Sequence, residues 1–126
     1  MRKIISTNKA PKAVGPYSQA VVFGEFIFLS GQVSINPESG ELEKGTVREQ
    51  TERTLSNIKA VLEEAGGSMD NVLKCNVYLK DIGDFNDMNE IYSKFFQGGY
   101  PARLCVSKVD IFGDLAVEID VIAAKK

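Results

Sequence analysis

Three side chains have types and settings suited to chemistry: Arg103 and Cys105 in Ala102-Arg103-Leu104-Cys105-Val106, and Glu118 in Val117-Glu118-Ile119. Both stretches have strand character, and a period of two sends Arg103, Cys105 and Ser107 to one side of the first, with Leu104 and Val106 on the other. A planar guanidinium offers paired donors to a carboxylate and fixes an anion in register, which a lysine point charge does not. A carboxyl group can take a proton from water and pass it on. Each residue alone also has a plainer reading. A strand arginine after Pro101 fits a solvated or ion-paired residue, and Glu118 fits a water-facing or ion-paired carboxylate. Cys105, with no histidine or obvious cation beside it in sequence, fits a small packed hydrophobe before it fits a nucleophile.

What the chain lacks narrows the chemistry further. With no histidine in 126 residues it cannot build a Ser-His-Asp triad, a Cys-His pair or a His-ligated zinc site. Cys75 and Cys105 lie thirty positions apart without CxxC spacing, so neither a disulfide framework nor a thiolate metal site is expected. Neither GxGxxG nor GxxxxGK(S/T) occurs, which argues against a nucleotide-dependent enzyme of a familiar kind. No metal and no cofactor are expected, and the work falls to Arg, Glu, Tyr and backbone groups. Fifteen basic against 17 acidic residues give a net charge of −2, no footprint for nucleic acid or an anionic membrane. The start of the chain has no apolar run long enough for a signal-peptide core, and no stretch approaches transmembrane length. A reducing, cytoplasmic setting is the expectation.

The elements that must position these residues follow from patterning. A length of 126 residues with 44% hydrophobic and 25% charged residues suits one domain, spanning 1–126, with one core. Ala20–Phe23 and Phe26–Gln32 flank Gly24-Glu25 as a hairpin, and Ile4-Ile5 adds a short strand before it. Residues 34–45 form a polar loop. Thr46 with Glu49 makes a capping box, after which Val47, Thr51, Leu55, Ile58, Leu62 and Ala65 recur at helical steps until Gly66-Gly67. A strand over Val72–Leu79 comes next. A second helix is capped by Asp84, carries a stripe of Phe85, Met88, Tyr92, Phe95 and Phe96, and stops at Gly98-Gly99. The bland reading of that stripe, core packing, is preferred. Strands over Ala102–Val109 and Leu115–Ala123 complete the chain.

This order predicts an α+β fold, a mixed sheet with both helices on one face. The other face needs a cover of its own. In the last strand Ala116, Glu118, Asp120 and Ile122 share a side of mixed polarity. In the strand from Phe26, the residues Ile27, Leu29 and Gly31 are expected on one side, with Phe26, Phe28, Ser30 and Gln32 on the other. Aromatics on a second face point to burial there, and with two helices spent on the first face the cheapest cover is another copy of the chain.

Two separated blocks carry a resemblance. Tyr100-Pro101-Ala102-Arg103-Leu104-Cys105-Val106 followed by Val117-Glu118-Ile119, and Ala10 to Ala20 followed by Ser30-Gly31-Gln32, resemble the hallmarks of the RidA/YjgF reactive-intermediate deaminase family. The likeness runs from about Ile4 to Ala123. It implies a chorismate-mutase-like, six-stranded sheet backed by two helices, three copies joined into a trimeric barrel, and sites between subunits. It further implies hydrolysis of 2-aminoacrylate and related 2-imino acids, released by pyridoxal-phosphate dehydratases from serine or threonine, to 2-keto acids and ammonia. Carried over by resemblance, Arg103 anchors the substrate carboxylate and Glu118 handles the water proton. Tyr17 and Cys105 line the pocket, and Ser30, Gly31 and Asn89 match further lining positions. Two other readings stay open: a module that binds a small carboxylate without turnover, and an RNA-cleaving translation inhibitor, which the absent histidine and basic surplus disfavour.

Overall fold

The computed structural model describes all of residues 1–126. Six strands, β1 (Lys3–Ile5), β2 (Ala20–Phe23), β3 (Phe26–Leu29), β4 (Val72–Leu79), β5 (Ala102–Ser107) and β6 (Val117–Ala124), form one sheet in the order β1-β2-β3-β6-β4-β5. Neighbours are antiparallel except β4 and β5, which run parallel across the connection that holds the second helix. Helices α1 (Val47–Glu64) and α2 (Phe85–Ser93) cover one face. The α+β architecture expected from the element order is the one found.

Helix α1 forms where its signals place it. The Thr46 hydroxyl accepts from the Glu49 amide at 3.2 Å, and Glu49 returns the bond to the Thr46 amide at 2.8 Å, which satisfies two donors at the helix start. Leu55, Ile58, Val61 and Leu62 then lie fully buried against Ile27, Val77, Ile119 and Val121 of the sheet. At about 1.5–3 kcal/mol for each fully buried aliphatic side chain, this seam is the chief attachment of helix to sheet.

Four boundaries differ from the expectation. Asp84 does not cap α2 through its side chain: it sits in a 3₁₀ turn with helical backbone angles, φ −85° and ψ −1°, whereas a capping side chain needs an extended residue. Helix α2 ends at Ser93, not near Gly98, because the Lys94 and Phe95 amides turn to carbonyls three residues back and the helix tightens out of register. Phe96 is buried nonetheless, its ring 4.9 Å from that of Tyr92. Strand β5 stops at Ser107 because Lys108 adopts a left-handed backbone, φ 61°. Strand β6 starts at Val117, after a 3₁₀ turn over Phe112–Asp114.

A further difference matters for the site. Between the pairs Phe28↔Ile122 and Gln32↔Ile119 the chain advances four residues on one side and three on the other. One residue is therefore extra, a bulge at Ser30-Gly31, and alternation reverses across it. Gln32 is buried, and Gly31 is exposed on the face away from the helices, opposite to its expected side. That face also shows Phe26, Phe28 and Leu104, each between 43% and 50% exposed, so a row of large apolar side chains lacks cover within one chain.

Candidate active site

Glu118 lies on the open face of β6, beside Tyr78 of β4 in the sheet register. It is half-buried, with Tyr17, Ser30, Gly31 and Phe112 around a hollow of about 350 Å³ that Val14, Val33 and Ile35 complete. Burial pushes its carboxyl pKa up, and the neighbouring Asp120 charge adds to the rise. No cation of the same chain pairs with it. The bulge lets the carboxylate come this close to the backbone: a Cβ added at Gly31 would collide with it. Glycine at 31 serves close approach of this carboxylate, not an unusual backbone angle.

The loop in front of this hollow is tied down by Gln19. Its buried side chain accepts from the Thr7 amide at 2.7 Å and donates to the carbonyls of Thr7 and Pro11 at 3.1 and 2.8 Å. Its own carbonyl takes the Ser30 amide at 3.0 Å, and the Ser30 hydroxyl donates to the Ser18 carbonyl at 2.6 Å. Tyr17, between these anchors, is held over the hollow with its hydroxyl accepting from the Val14 amide at 3.2 Å.

Arg103 belongs to the opposite face. Register places it beside Cys75 of β4, the core face, whereas Glu118 and Val106 flank Tyr78 on the open one. Its guanidinium carbon lies 4.8 Å from the centre of the Tyr92 ring and 5.6 Å from that of Phe85, and one NH donates to Asn89 Oδ1 at 2.8 Å. Arg103 makes no salt bridge. Two aromatic faces and an amide oxygen orient the cation without neutralising it, and its remaining donors are left for a ligand. Asn89, Tyr92, Ser93, Tyr100, Pro101 and Arg103 enclose a hollow of about 360 Å³.

Six of the seven residues singled out in the sequence thus fall into two groups, with Cys105 apart from both. Tyr17, Ser30, Gly31 and Glu118 come together in one hollow, and Arg103 and Asn89 in another. Cys105 shares the face of Arg103, as expected, but packs partly buried against the core, where burial raises its thiol pKa and the Arg103 charge only partly offsets that. One chain does not bring Arg103 and Glu118 to a single point. Three larger hollows, about 420, 430 and 460 Å³, lie elsewhere: the smallest adjoins the Glu118 hollow and shares Tyr17 and Ser30 with it, the next is lined by charges that pair among themselves, Arg53 with Glu43 and Arg48 with Glu90, and the largest mixes Lys59 and Lys94 with Glu52, Glu63 and Asp70 on the outer helical surface. The sequence pattern missed the site roles of Phe85 and Tyr92, whose helical spacing also fits plain core packing.

Comparison with known proteins agrees over the full chain. The sequence model for Endoribonuclease L-PSP matches residues 7–125. A RutC family protein of Pyrococcus abyssi is 50% identical, covering 99% of this chain and 98% of its own length. A 2-iminobutanoate/2-iminopropanoate deaminase of Mus musculus is 45% identical, covering 99% and 93%. The crystal structure of E. coli TdcF with bound serine superposes with a TM-score of 0.93 at 38% identity, covering 98% of this chain and 99% of that one. Fold, motifs and full-length relatives converge: this chain belongs to the RidA/YjgF family, the L-PSP family of the matching sequence model.

Proposed function

We propose that this protein hydrolyses 2-imino acids, including that formed from 2-aminoacrylate, to 2-keto acids and ammonia, at sites where Arg103 of one copy meets Glu118 of another. The observation that carries the reading is the unpaired guanidinium of Arg103, oriented by Phe85, Tyr92 and Asn89 with no acid beside it. A fixed, unneutralised cation at the mouth of a hollow is a receptor for a small carboxylate. The uncovered apolar row on the open face supports assembly with further copies, and a three-copy barrel is the arrangement we adopt.

The chemistry asks little of the protein. The enamine tautomerises to an imine with an electrophilic C2. The Arg103 side anchors the carboxylate, which places C2 near a water held at Glu118. The imine reacts as its protonated iminium: the water oxygen bonds to C2 as a water proton passes to the Glu118 carboxylate, and the C=N π pair moves to nitrogen, leaving a neutral amino group beside the new hydroxyl. Glu118 then gives its proton to that nitrogen, and as the C–N bond breaks the hydroxyl proton returns to the Glu118 carboxylate and the C=O bond closes; the departing ammonia carries this proton away as ammonium, which restores ionised Glu118. A carboxyl with a raised pKa suits both steps, and an acid-base contribution of about 10² to 10⁴ is sufficient for a reaction that already runs unaided. No group outside these side chains enters the scheme. A small 2-imino acid is the substrate class, and neither nucleic acid nor a lipid surface is invoked; no helix of the chain is long and apolar enough to cross a membrane.

A coupled assay tests the proposal. A serine or threonine dehydratase generates the enamine, and added protein should speed keto-acid release beyond the spontaneous rate. No acceleration with either amino acid would leave a binding module, for which the serine bound in E. coli TdcF is the supporting observation.

A further inference from the structure

Beside Glu118 on the open face stands a second carboxylate, Asp120, two residues along β6 and so about 6.5 Å away along the strand. Its two oxygens are held separately. Asn76 Nδ2, its partner across the β4 register, donates to Oδ1 at 2.8 Å, and the Tyr78 hydroxyl, which stands opposite Glu118, reaches diagonally to Oδ2 at 3.4 Å. Burial, and after it the Asp120 charge, push the Tyr78 phenol pKa up, so this hydroxyl remains a donor. The arrangement fixes one negative charge beside another carboxyl on a half-buried surface, with no lysine or arginine of the chain salt-bridged to either. Structural needs alone do not call for it. A threonine or asparagine at 120 would serve the sheet without placing like charges side by side.

We infer that Asp120, held by Asn76 and Tyr78, is a positioning residue whose fixed charge keeps Glu118 able to carry a proton between the two halves of the hydrolysis. This inference rests on the deaminase reading and assigns a role to residues outside the set the sequence motifs pointed to. Glu118 must accept a proton from water and soon return it to a leaving nitrogen, and a carboxyl that binds its proton too weakly does the first step poorly. The groups facing Glu118 are few. Asp120 lies on its own strand, Tyr78 stands opposite on β4, and Lys74 is farther along the same face, level with Ile122. Tyr17 comes from the N-terminal loop, while Ser30, Gly31 and Phe112 bring no charge. In the assembled site Arg103 of a second copy opposes Asp120, but a bound substrate carboxylate offsets that cation and leaves Asp120 as the uncompensated neighbour.

The sign follows directly. Glu118 works as a base from its ionised form, so kcat falls as pH drops through its pKa. Removing the Asp120 charge lowers that pKa and moves the acid limb of kcat to lower pH. For charges at this spacing near a surface the expected displacement is about 0.5 to 1 pH unit. The experiment is kcat against pH for the unaltered protein, Asp120→Asn and Asp120→Glu, with ¹³C titration of the Glu118 carboxyl in the same proteins. The Asn variant should shift both readouts downward, and the Glu variant, which keeps the charge, should hold the limb close to its original place. If Asn at 120 loosens the sheet, Asp120→Ser removes the same charge and makes the same prediction. An acid limb and a titration that stay put in a folded Asn or Ser variant would overturn the inference. Should the unaltered protein fail to accelerate imine hydrolysis at all, the deaminase reading falls on that result, and the titration alone decides whether Asp120 governs Glu118: a downward shift supports that control and no shift ends it.

Discussion

The two halves of the site are built by opposite means. Around Arg103 a permanent charge is held by packing: rings above it, an amide oxygen beside it, and the core beneath. Around Glu118 a group that can change its charge is held against bare backbone at a bulge, near a second carboxylate and under a loop pinned by Gln19. In the proposed hydrolysis the first half gives position and the second gives proton movement. The sheet itself separates them, since register positions three residues apart on β4, Cys75 and Tyr78, put Arg103 on the helix-covered face and Glu118 on the open one. On the proposed function, a division of labour across a sheet is closed by a second molecule.

Substitutions in the two halves should therefore fail differently. The largest effect is expected on the anchoring side. Arg103→Ala should lower kcat/KM for 2-imino acids by about 10² or more, the loss of a paired, charge-assisted contact, while circular dichroism and oligomer size stay unchanged. Undiminished turnover would remove Arg103 from the site. A smaller effect is expected at the bulge. Gly31→Ala places a methyl where the Glu118 carboxylate rests, so Glu118 must turn aside and kcat should drop about tenfold or more with KM much less affected. A change confined to KM would mean that Glu118 moves no proton. The smallest effect belongs to Cys105, whose thiol is partly buried and held protonated by burial. Cys105→Ser should keep activity within about twofold, because the hydrolysis needs no covalent intermediate. Complete loss in a folded Ser variant would bring the thiol into the chemistry.

Much of this was legible in the sequence because local signals and global fold agree. The Thr46–Glu49 box, the spacing of Leu55, Ile58 and Leu62, and the alternation of β6 each point to the element that forms. Signals failed where tertiary contacts decide. Asp84 has the composition of a cap but sits inside a 3₁₀ turn, and the aromatic run through Phe96 continues past the end of its helix, since packing against Tyr92 does not require helical hydrogen bonds. The bulge at Ser30-Gly31 leaves no mark in a period-two pattern, although it decides which face Gly31 serves. Within the site, motif residues were found because their sequence context resembles a family. Phe85, Tyr92, Asn76, Tyr78 and Asp120 were not, because each has an ordinary structural reason to be where it is, and their effect on Arg103 and Glu118 is visible only in three dimensions.

The central claim, that the working site takes its arginine and its glutamate from different copies, is tested most directly by mixing two inactive variants. Arg103→Ala and Glu118→Gln should each be inactive alone. Unfolded and refolded together in equal amounts, they form mixed assemblies in which random pairing returns both native residues to roughly a quarter of the sites, and about that share of the original kcat should reappear. Mixed assemblies confirmed by mass but still inactive would contradict the account, since a site housed within one copy cannot be restored by exchange.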